Sequence, residues 1–262
     1  MQKSVETPVT ATTTAPRYAE LQVTTNFSFL TGGSHPQELV AQAKALGLSA
    51  LAVTDRNTLA GVVRAHAAAK EVGLDLIVGS RLDLDDAPSL LCLPTDRRAY
   101  GRLSRLLSLG QGRAGKGRCS LSLDDVAAHA EGQILIVLPP EGFDWKAVPN
   151  RDAGAAVIRF PGMASPPEET ATASGIGRCF EADLSRIAAA LGAARLYLAA
   201  SHGYRGDDRA RIAALAALAR RHAIPLVATG DVLYHAPDRR PLQDVLTCIR
   251  HGVTIRAAGH RL

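Results

Sequence analysis

The sequence predicts an α/β fold in which strands and helices alternate around a distorted barrel. Two observations carry that expectation. A unit of strand, loop, helix, terminating glycine and strand recurs along the chain, and such recurrence signals a parallel sheet with crossover helices. At least six alternations are spread over roughly 240 residues, the length of a barrel rather than of two domains, which favours a distorted α/β barrel over an open doubly wound sheet. With 262 residues and 47% hydrophobic content, the chain is long and apolar enough to bury a sizeable core.

Glu20 to Gly33, ELQVTTNFSFLTGG, reads as the first strand and the turn at its carboxyl end. Leu21, Val23 and Thr25 alternate with Gln22 and Thr24, so the last two emerge on one face, spaced to share a ligand. Ser34 is placed to cap a helix from about Pro36, with Leu39, Val40, Ala43 and Leu46 as its apolar stripe and Gly47 as its stop. Ala50 to Val53 is a short strand ending in Thr54-Asp55-Arg56-Asn57, and a helix from about Thr58 to Val72 ends at Gly73. Strands follow at 75–84 and 89–93, then a helix from Arg97 to Leu109.

Residues 110–120, GQGRAGKGRCS, form the most basic, glycine-rich stretch and read as a solvated loop that could also wrap a phosphate backbone. Ser122 opens a short helix, and Gln133 to Leu138 has the pattern of a buried strand. The region 139–177 is weakly patterned, with one strand candidate at 155–160. Regularity returns with a helix from Glu181 to Leu191, a strand from Arg195 to Ala200 and a helix capped by Asp207 through about Arg221. A strand from Pro225 to Thr229 then leads to a helix from Pro241 to His251, with Leu242, Val245, Leu246 and Ile249 expected inward.

Composition narrows the function classes. Aromatic content of 4% disfavours a base-stacking platform, and a formal charge of +5 permits nucleic-acid contact while the basic residues are spread rather than striped. Cys92, Cys119, Cys179 and Cys248 are far apart, so buried reduced thiols in a cytoplasmic protein are expected rather than a zinc cluster or disulfide framework. Residues 1–17 read as a disordered leader and 18–262 as a single barrel domain. No apolar run approaches the roughly 20 residues needed to span a bilayer.

In an α/β barrel the site lies at the carboxyl ends of the strands. Those ends supply Gln22 and Thr24, Asp55 and Arg56, Arg81, Ser89, His202 and Asp231. A hydrolytic metal cluster requires several converging His and carboxylate ligands, whereas arginine stays protonated and cannot bind a cation. Arg56 and Arg81 therefore argue against a divalent metal.

At these residues the sequence resembles the PHP domain, the polymerase and histidinol phosphatase domain at the amino terminus of bacterial C-family replicative polymerases, and more narrowly that of the error-prone C-family polymerases. The runs that carry the resemblance are AELQVTTNFSFLTGGSHPQELV at 19–40, LAVTDRNTLAGVVRAHAAAKE at 51–71, LIVGSRLDL at 76–84 and PLVATGDVLYHAPDRRPLQDVLTCIRHGVTI at 225–255. The resemblance implies a distorted (β/α)7 barrel. It also implies a trinuclear metal site built from an H-x-H pair, further His, Asp and Glu positions and a terminal D-x-H.

Here the H-x-H positions hold Gln22 and Thr24, and Thr31 stands where an aspartate is expected. Arg56 replaces a histidine, Arg81 a glutamate and Ser89 a histidine, while Asp55 and Asp231 remain and Leu233 replaces the last histidine. The resemblance thus implies a metal-free, catalytically inactive barrel with no cofactor. Its partners would be the remainder of a DNA-directed DNA polymerase chain, DNA through the full-length enzyme, and other proteins of damage-induced mutagenesis and translesion synthesis. We expect Arg56 and Arg81 to neutralise Asp55 and Asp231 in place of the lost cations.

Two other readings compete. One is a stand-alone metal-dependent phosphoesterase, for which His202 and His235 are the imidazoles nearest the strand ends. The other is an interaction module that docks through an apolar helix such as 207–221.

Overall fold

The computed structural model describes residues 17–148, 174–204 and 206–259. The leader before Arg17 and the strand candidate at 155–160 lie outside the described residues. The chain has a mixed α/β fold with two sheets. β1 (Ala19–Val23), β2 (Ala50–Val53) and β3 (Asp75–Val78) pair in parallel in that order. They are connected by α1 (Pro36–Ala45) and α2 (Val62–Val72), whose apolar faces bury Leu39, Val40, Ala65 and Ala69 against the sheet. Gly73 closes α2 in the left-handed conformation at φ 65°, which a residue without Cβ adopts at little steric cost.

β4 (Ser80–Leu82), β5 (Leu90–Pro94), β6 (Gln133–Val137), β7 (Leu196–Ser201) and β8 (Leu226–Thr229) form the second sheet in sequence order. The parallel expectation fails at its start, where β4–β5 and β5–β6 are antiparallel, while β6–β7 and β7–β8 are parallel. The connection from β4 to β5 is too short for a crossover helix, so the chain can only turn back on itself. The helices α3 (Arg97–Arg113), α4 (Leu123–Ala128), α5 (Ser174–Leu191) and α6 (Asp208–Arg221) follow β5, β6 and β7 and cover one face.

The expected single strand at 75–84 is interrupted at Gly79, where the chain passes from one sheet to the other. A Cβ there would lie 2.4 Å from Leu93 Cδ2 and 3.1 Å from the Cys92 carbonyl oxygen, so only glycine fits the crossing. Among the described residues, backbone hydrogen bonds join the sheets at two places. Thr24 N–H donates to Val232 O and Val232 N–H to Gln22 O, both at 2.9 Å, while Arg81 N–H donates to Asp55 O at 3.0 Å and Asn57 N–H to Arg81 O at 2.8 Å. Strand side chains alternate between two buried layers. Leu90 and Cys92 face the helices, whereas Leu91 and Leu93 join Ala52, Ile136 and Ala199 in an interior shared by both sheets.

Several local expectations change. The helix expected to stop at Leu109 runs to Arg113, because Gly110 packs directly on Leu121 and Cys119; the first residues of the basic stretch are therefore helical. Cys119 is only half-buried, while Cys92 is buried and its thiol is pushed up to about 12 by desolvation. Ser34 does not cap α1: His35 holds the cap position, its N–H donating to Glu38 Oε2 at 2.8 Å, and Ser34 Oγ turns to His235. Asp207 occupies the cap position of α6, yet its carboxylate accepts from Trp145 Nε1 instead of the helix amides.

The helix near the carboxyl end, α7 (Arg240–His251), is rotated from expectation. Gln243, Thr247 and Cys248 are buried, Leu246 is half-buried, and Leu242, Val245 and Ile249 are 42%, 41% and 57% exposed. The cause is a polar demand from the first turn: Gln243 Nε2 donates to the Thr31 carbonyl at 2.8 Å, and that buried carbonyl needs a donor.

Candidate functional site

A cavity of about 510 Å³ opens where the carboxyl ends of β1, β4, β7 and β8 converge. Of the residues expected at the strand ends, Gln22, Arg56, Arg81, Ser89 and Asp231 line it. Asp83, Glu141, Ser201 and Thr229 line it as well, and sequence reasoning missed all four. Thr229 is 4% exposed and its hydroxyl has no hydrogen-bond partner.

Asp83 is the hub of the charged wall. Its Oδ1 accepts from Arg81 Nε at 2.9 Å and from Ser89 Oγ at 2.7 Å, and its Oδ2 accepts from Arg56 Nη1 at 3.1 Å. Arg81 Nη2 also donates to Ser89 Oγ at 3.2 Å, and the Asp83 N–H donates to Asn57 Oδ1 at 3.0 Å. Burial by itself would raise the Asp83 carboxyl, but the Arg81 and Arg56 charges hold it below its ordinary value. Burial, reinforced by the neighbouring Arg81 charge, lowers the Arg56 guanidinium, and Arg56 Nε is buried without a partner. Asp83 lies two residues after Arg81, and i, i+2 spacing along an extended strand end puts both on one side. That was the signal available in RLDL.

The expected pairing of Asp55 and Asp231 with the two arginines does not occur. Asp55 is fully buried and turned into the first loop, where Oδ1 accepts from the Thr25 N–H at 2.8 Å and Ser28 Oγ at 2.7 Å, and Oδ2 accepts from Thr25 Oγ1 at 2.8 Å. Desolvation raises its carboxyl, and those donors pull back without overcoming it. The carboxylate leaves no room for a side chain at Gly61, where a Cβ would lie 2.5 Å from Asp55 Oδ2; Ala60 and Gly61 form a turn, and α2 begins at Val62 rather than near Thr58.

Asp231 pairs instead with Gln22, whose Nε2 donates to Oδ1 at 2.6 Å. Its backbone has φ 49°, a left-handed conformation uncommon outside glycine that a short polar side chain tolerates. The neighbouring Gly230 N–H donates to Glu20 Oε1 at 2.9 Å, and the Gln22 N–H donates to the same oxygen at 2.8 Å, so the buried Glu20 staples β1 to the end of β8.

Thr24, Thr31 and Leu233 are placed away from the cavity wall. Thr24 is buried beside Val232, Thr31 sits in the first turn where it meets Gln243 and Arg250, and the Leu233 carbonyl accepts from the Gly33 N–H at 2.7 Å. His202 is largely exposed, edge-on to Tyr204 and 3.8 Å from Asp208. His235 Nδ1 is 2.8 Å from Ser34 Oγ. Neither imidazole lines the cavity.

The trinuclear metal site that the resemblance implies is tested by this donor set. Two guanidiniums project among Asp83, Glu141 and Asp231, and among the described residues no group of three or more His, Cys, Asp or Glu is placed to hold a metal ion. Guanidinium hydrogens engage Asp83, the Gln22 amide engages Asp231, and Thr25 and Ser28 engage Asp55, so the described residues do not fit such a cluster. What the arrangement can do is hold β4, the end of β2 and the turn before β5 together through charge-assisted hydrogen bonds.

The family profile described as the PHP domain matches residues 20–156, more than half of the chain. The error-prone DNA polymerase of Caulobacter vibrioides is 47% identical over 94% of this chain and 20% of its own length. Error-prone DNA polymerase 1 of Agrobacterium fabrum is 46% identical over 94% of the chain and 19% of its own length. The error-prone DNA polymerase of Rhodopseudomonas palustris is 44% identical over 95% of the chain and 23% of its own length. The chain thus spans about a fifth of the length of these curated relatives.

Among solved structures, a candidate metal-dependent phosphoesterase of Bifidobacterium adolescentis matches with TM-score 0.53 at 17% identity, over 88% of this chain and 97% of that one. An amidohydrolase of Chromobacterium violaceum matches with TM-score 0.51 at 16% identity, over 82% of this chain and 87% of that one. These two are likenesses of fold. No helix among the described residues is long and apolar enough to cross a membrane.

Proposed function

We propose that this chain, which belongs to the PHP domain family, is the amino-terminal domain of an error-prone DNA polymerase acting in damage-induced mutagenesis and translesion synthesis, and that it serves there as a scaffold without phosphoesterase activity. The carrying observation is identity of 44–47% over 94–95% of the chain to error-prone DNA polymerases several times its length. Nucleotidyl transfer would belong to the rest of that polypeptide. DNA is reached through the whole enzyme, in the cytoplasm, with other mutagenesis proteins as further partners.

The scaffold role draws its support from the cavity. Gln22, Thr24, Thr31, Asp55, Arg56, Arg81, Ser89, Asp231 and Leu233 are the remnant of a metal pocket in this reading, and Asp83 with its two arginines takes over the cohesive work of the cations. The strands form the distorted (β/α)7 barrel of the family, with β3 and β4 counted as one strand interrupted at Gly79. The Val23–Val232 and Arg56–Arg81 bridges support that closure.

Two measurements test the proposal. Sequencing the locus beyond the codon for Leu262 and sizing the cellular product should reveal an open frame several times longer, and a stop codon with a product of 27.6 kDa would overturn the polymerase reading. Elemental analysis and phosphodiester hydrolysis assays with added manganese or zinc should give substoichiometric metal and no turnover. Stoichiometric metal accompanied by turnover would return the chain to the phosphoesterases.

A further inference from the structure

An amphipathic helix on a domain surface normally turns its apolar stripe inward. α7 does so only in part. Cys248 is buried and Leu246 half-buried, but Leu242, Val245 and Ile249, spaced i, i+3 and i+7, stand outward on one face, while the polar Gln243 and Thr247 are buried. The inward face is committed: Gln243 donates to the Thr31 carbonyl, and a Cβ at Gly33 would lie 2.8 Å from Gln243 Oε1, so the helix cannot roll over without breaking this seat. Two further exposed apolar side chains lie on segments that touch α7. Ile255, 56% exposed, sits in the turn packed on α7, and Phe29, 84% exposed, sits in the loop that Arg250 Nη1 holds through the Leu30 carbonyl at 3.2 Å. Singly scattered exposed apolar residues need no explanation, but five concentrated around one helix mark a surface that is covered in use.

We infer that the outward face of α7 docks the remainder of the polymerase polypeptide, burying Leu242, Val245 and Ile249 in an interdomain contact. The occupant follows from length: the relatives that share 44–47% identity with this region carry about four-fifths of their chain outside it. A domain embedded in so long a chain has its neighbour present at the highest effective concentration. The inference rests on the proposed function and goes beyond it by naming the contact.

The 262-residue chain, immobilised, would be presented with the separately produced polypeptide encoded beyond Leu262 at the same locus. The expected result is retention that falls at least about tenfold with V245E or I249E. V63E, an equally apolar exposed position on α2, should leave retention unchanged. Circular dichroism should find all three variants folded, because each altered side chain is exposed. Retention indifferent to V245E and I249E, or no retention at all, would overturn the inference while leaving the polymerase reading in place. Concentration-dependent dimerisation abolished by the same two variants would overturn it in favour of a second copy as occupant. Absence of any encoded downstream polypeptide would instead remove the proposed function, and this contact with it.

Discussion

Replacing Arg81 with glutamate removes the strongest cation on Asp83 and puts a carboxylate in its place. Arg81 Nε lies 2.9 Å from Asp83 Oδ1, and the two side chains are 18% and 31% exposed, so the pair is shielded without being dry. At an effective dielectric constant near 20, the gross attraction of such a pair is about 4 kcal/mol. Breaking a fully buried pair costs about 3–5 kcal/mol, and two features reduce that here: solvent reaches Asp83, and Arg56 remains 3.1 Å from Oδ2. We therefore expect R81E to cost about 2–3 kcal/mol, counting the new repulsion. R81K keeps the charge, loses the fork and its bond to Ser89, and should cost about 1 kcal/mol. For a domain of this size each kcal/mol moves the midpoint by about 2–4 °C, so R81E should lower Tm by roughly 5–10 °C. Thermal unfolding at low salt measures this, and a double-mutant cycle of R81M with D83N should return coupling of about 1–2 kcal/mol. Tm of R81E within about 1 °C of the parent, or zero coupling in the cycle, would refute the claim that Asp83 and its arginines hold the cavity wall together.

Gly79 should not tolerate alanine: with Leu93 Cδ2 only 2.4 Å from the new Cβ, G79A is expected to lose about 2 kcal/mol or more in chemical denaturation, while G101A, with nothing within 4 Å, should not destabilise the chain. The two buried carboxyls give opposite pH signatures. Asp83 is depressed in the folded state, so its stabilisation is present above the ordinary carboxylate range and is lost as pH falls through the folded value. Asp55 is raised, so its contribution is fully present below its unfolded value and is lost as pH rises through the folded value. Tm followed from about pH 6 to about pH 3 should fall less steeply in D83N than in the parent, and more steeply in D55N. Equal slopes in all three would contradict both assignments.

Much of the fold could be read directly from the residues. Ala50–Val53 has the predicted bounds, Arg97 begins α3 and Gly73 and Gly252 end their helices in the left-handed conformation, because apolar periodicity and glycine stops are local properties. The strand-end rule likewise brought Gln22, Arg56, Arg81, Ser89 and Asp231 to one cavity. The pairing of charges was not legible. Counting two aspartates against two arginines favoured Asp55 and Asp231, but Thr25 and Ser28 satisfy the first, and Gln22 satisfies the second across 209 residues of sequence.

The sequence by itself determined most of the strands and helices, which positions carry apolar stripes, and that guanidiniums stand at two of the strand ends. Those are matters of residue type and short-range spacing. Tertiary structure alone decided that β5 runs against its neighbours, that Asp83 receives both arginines, and that α7 shows Leu242, Val245 and Ile249 to the outside. Periodicity reveals that a helix has an apolar face but not whether this domain covers it, because coverage depends on what else needs the same ground. Here the buried Thr31 carbonyl required a donor, and an amide side chain took the inward position that leucine would otherwise have filled.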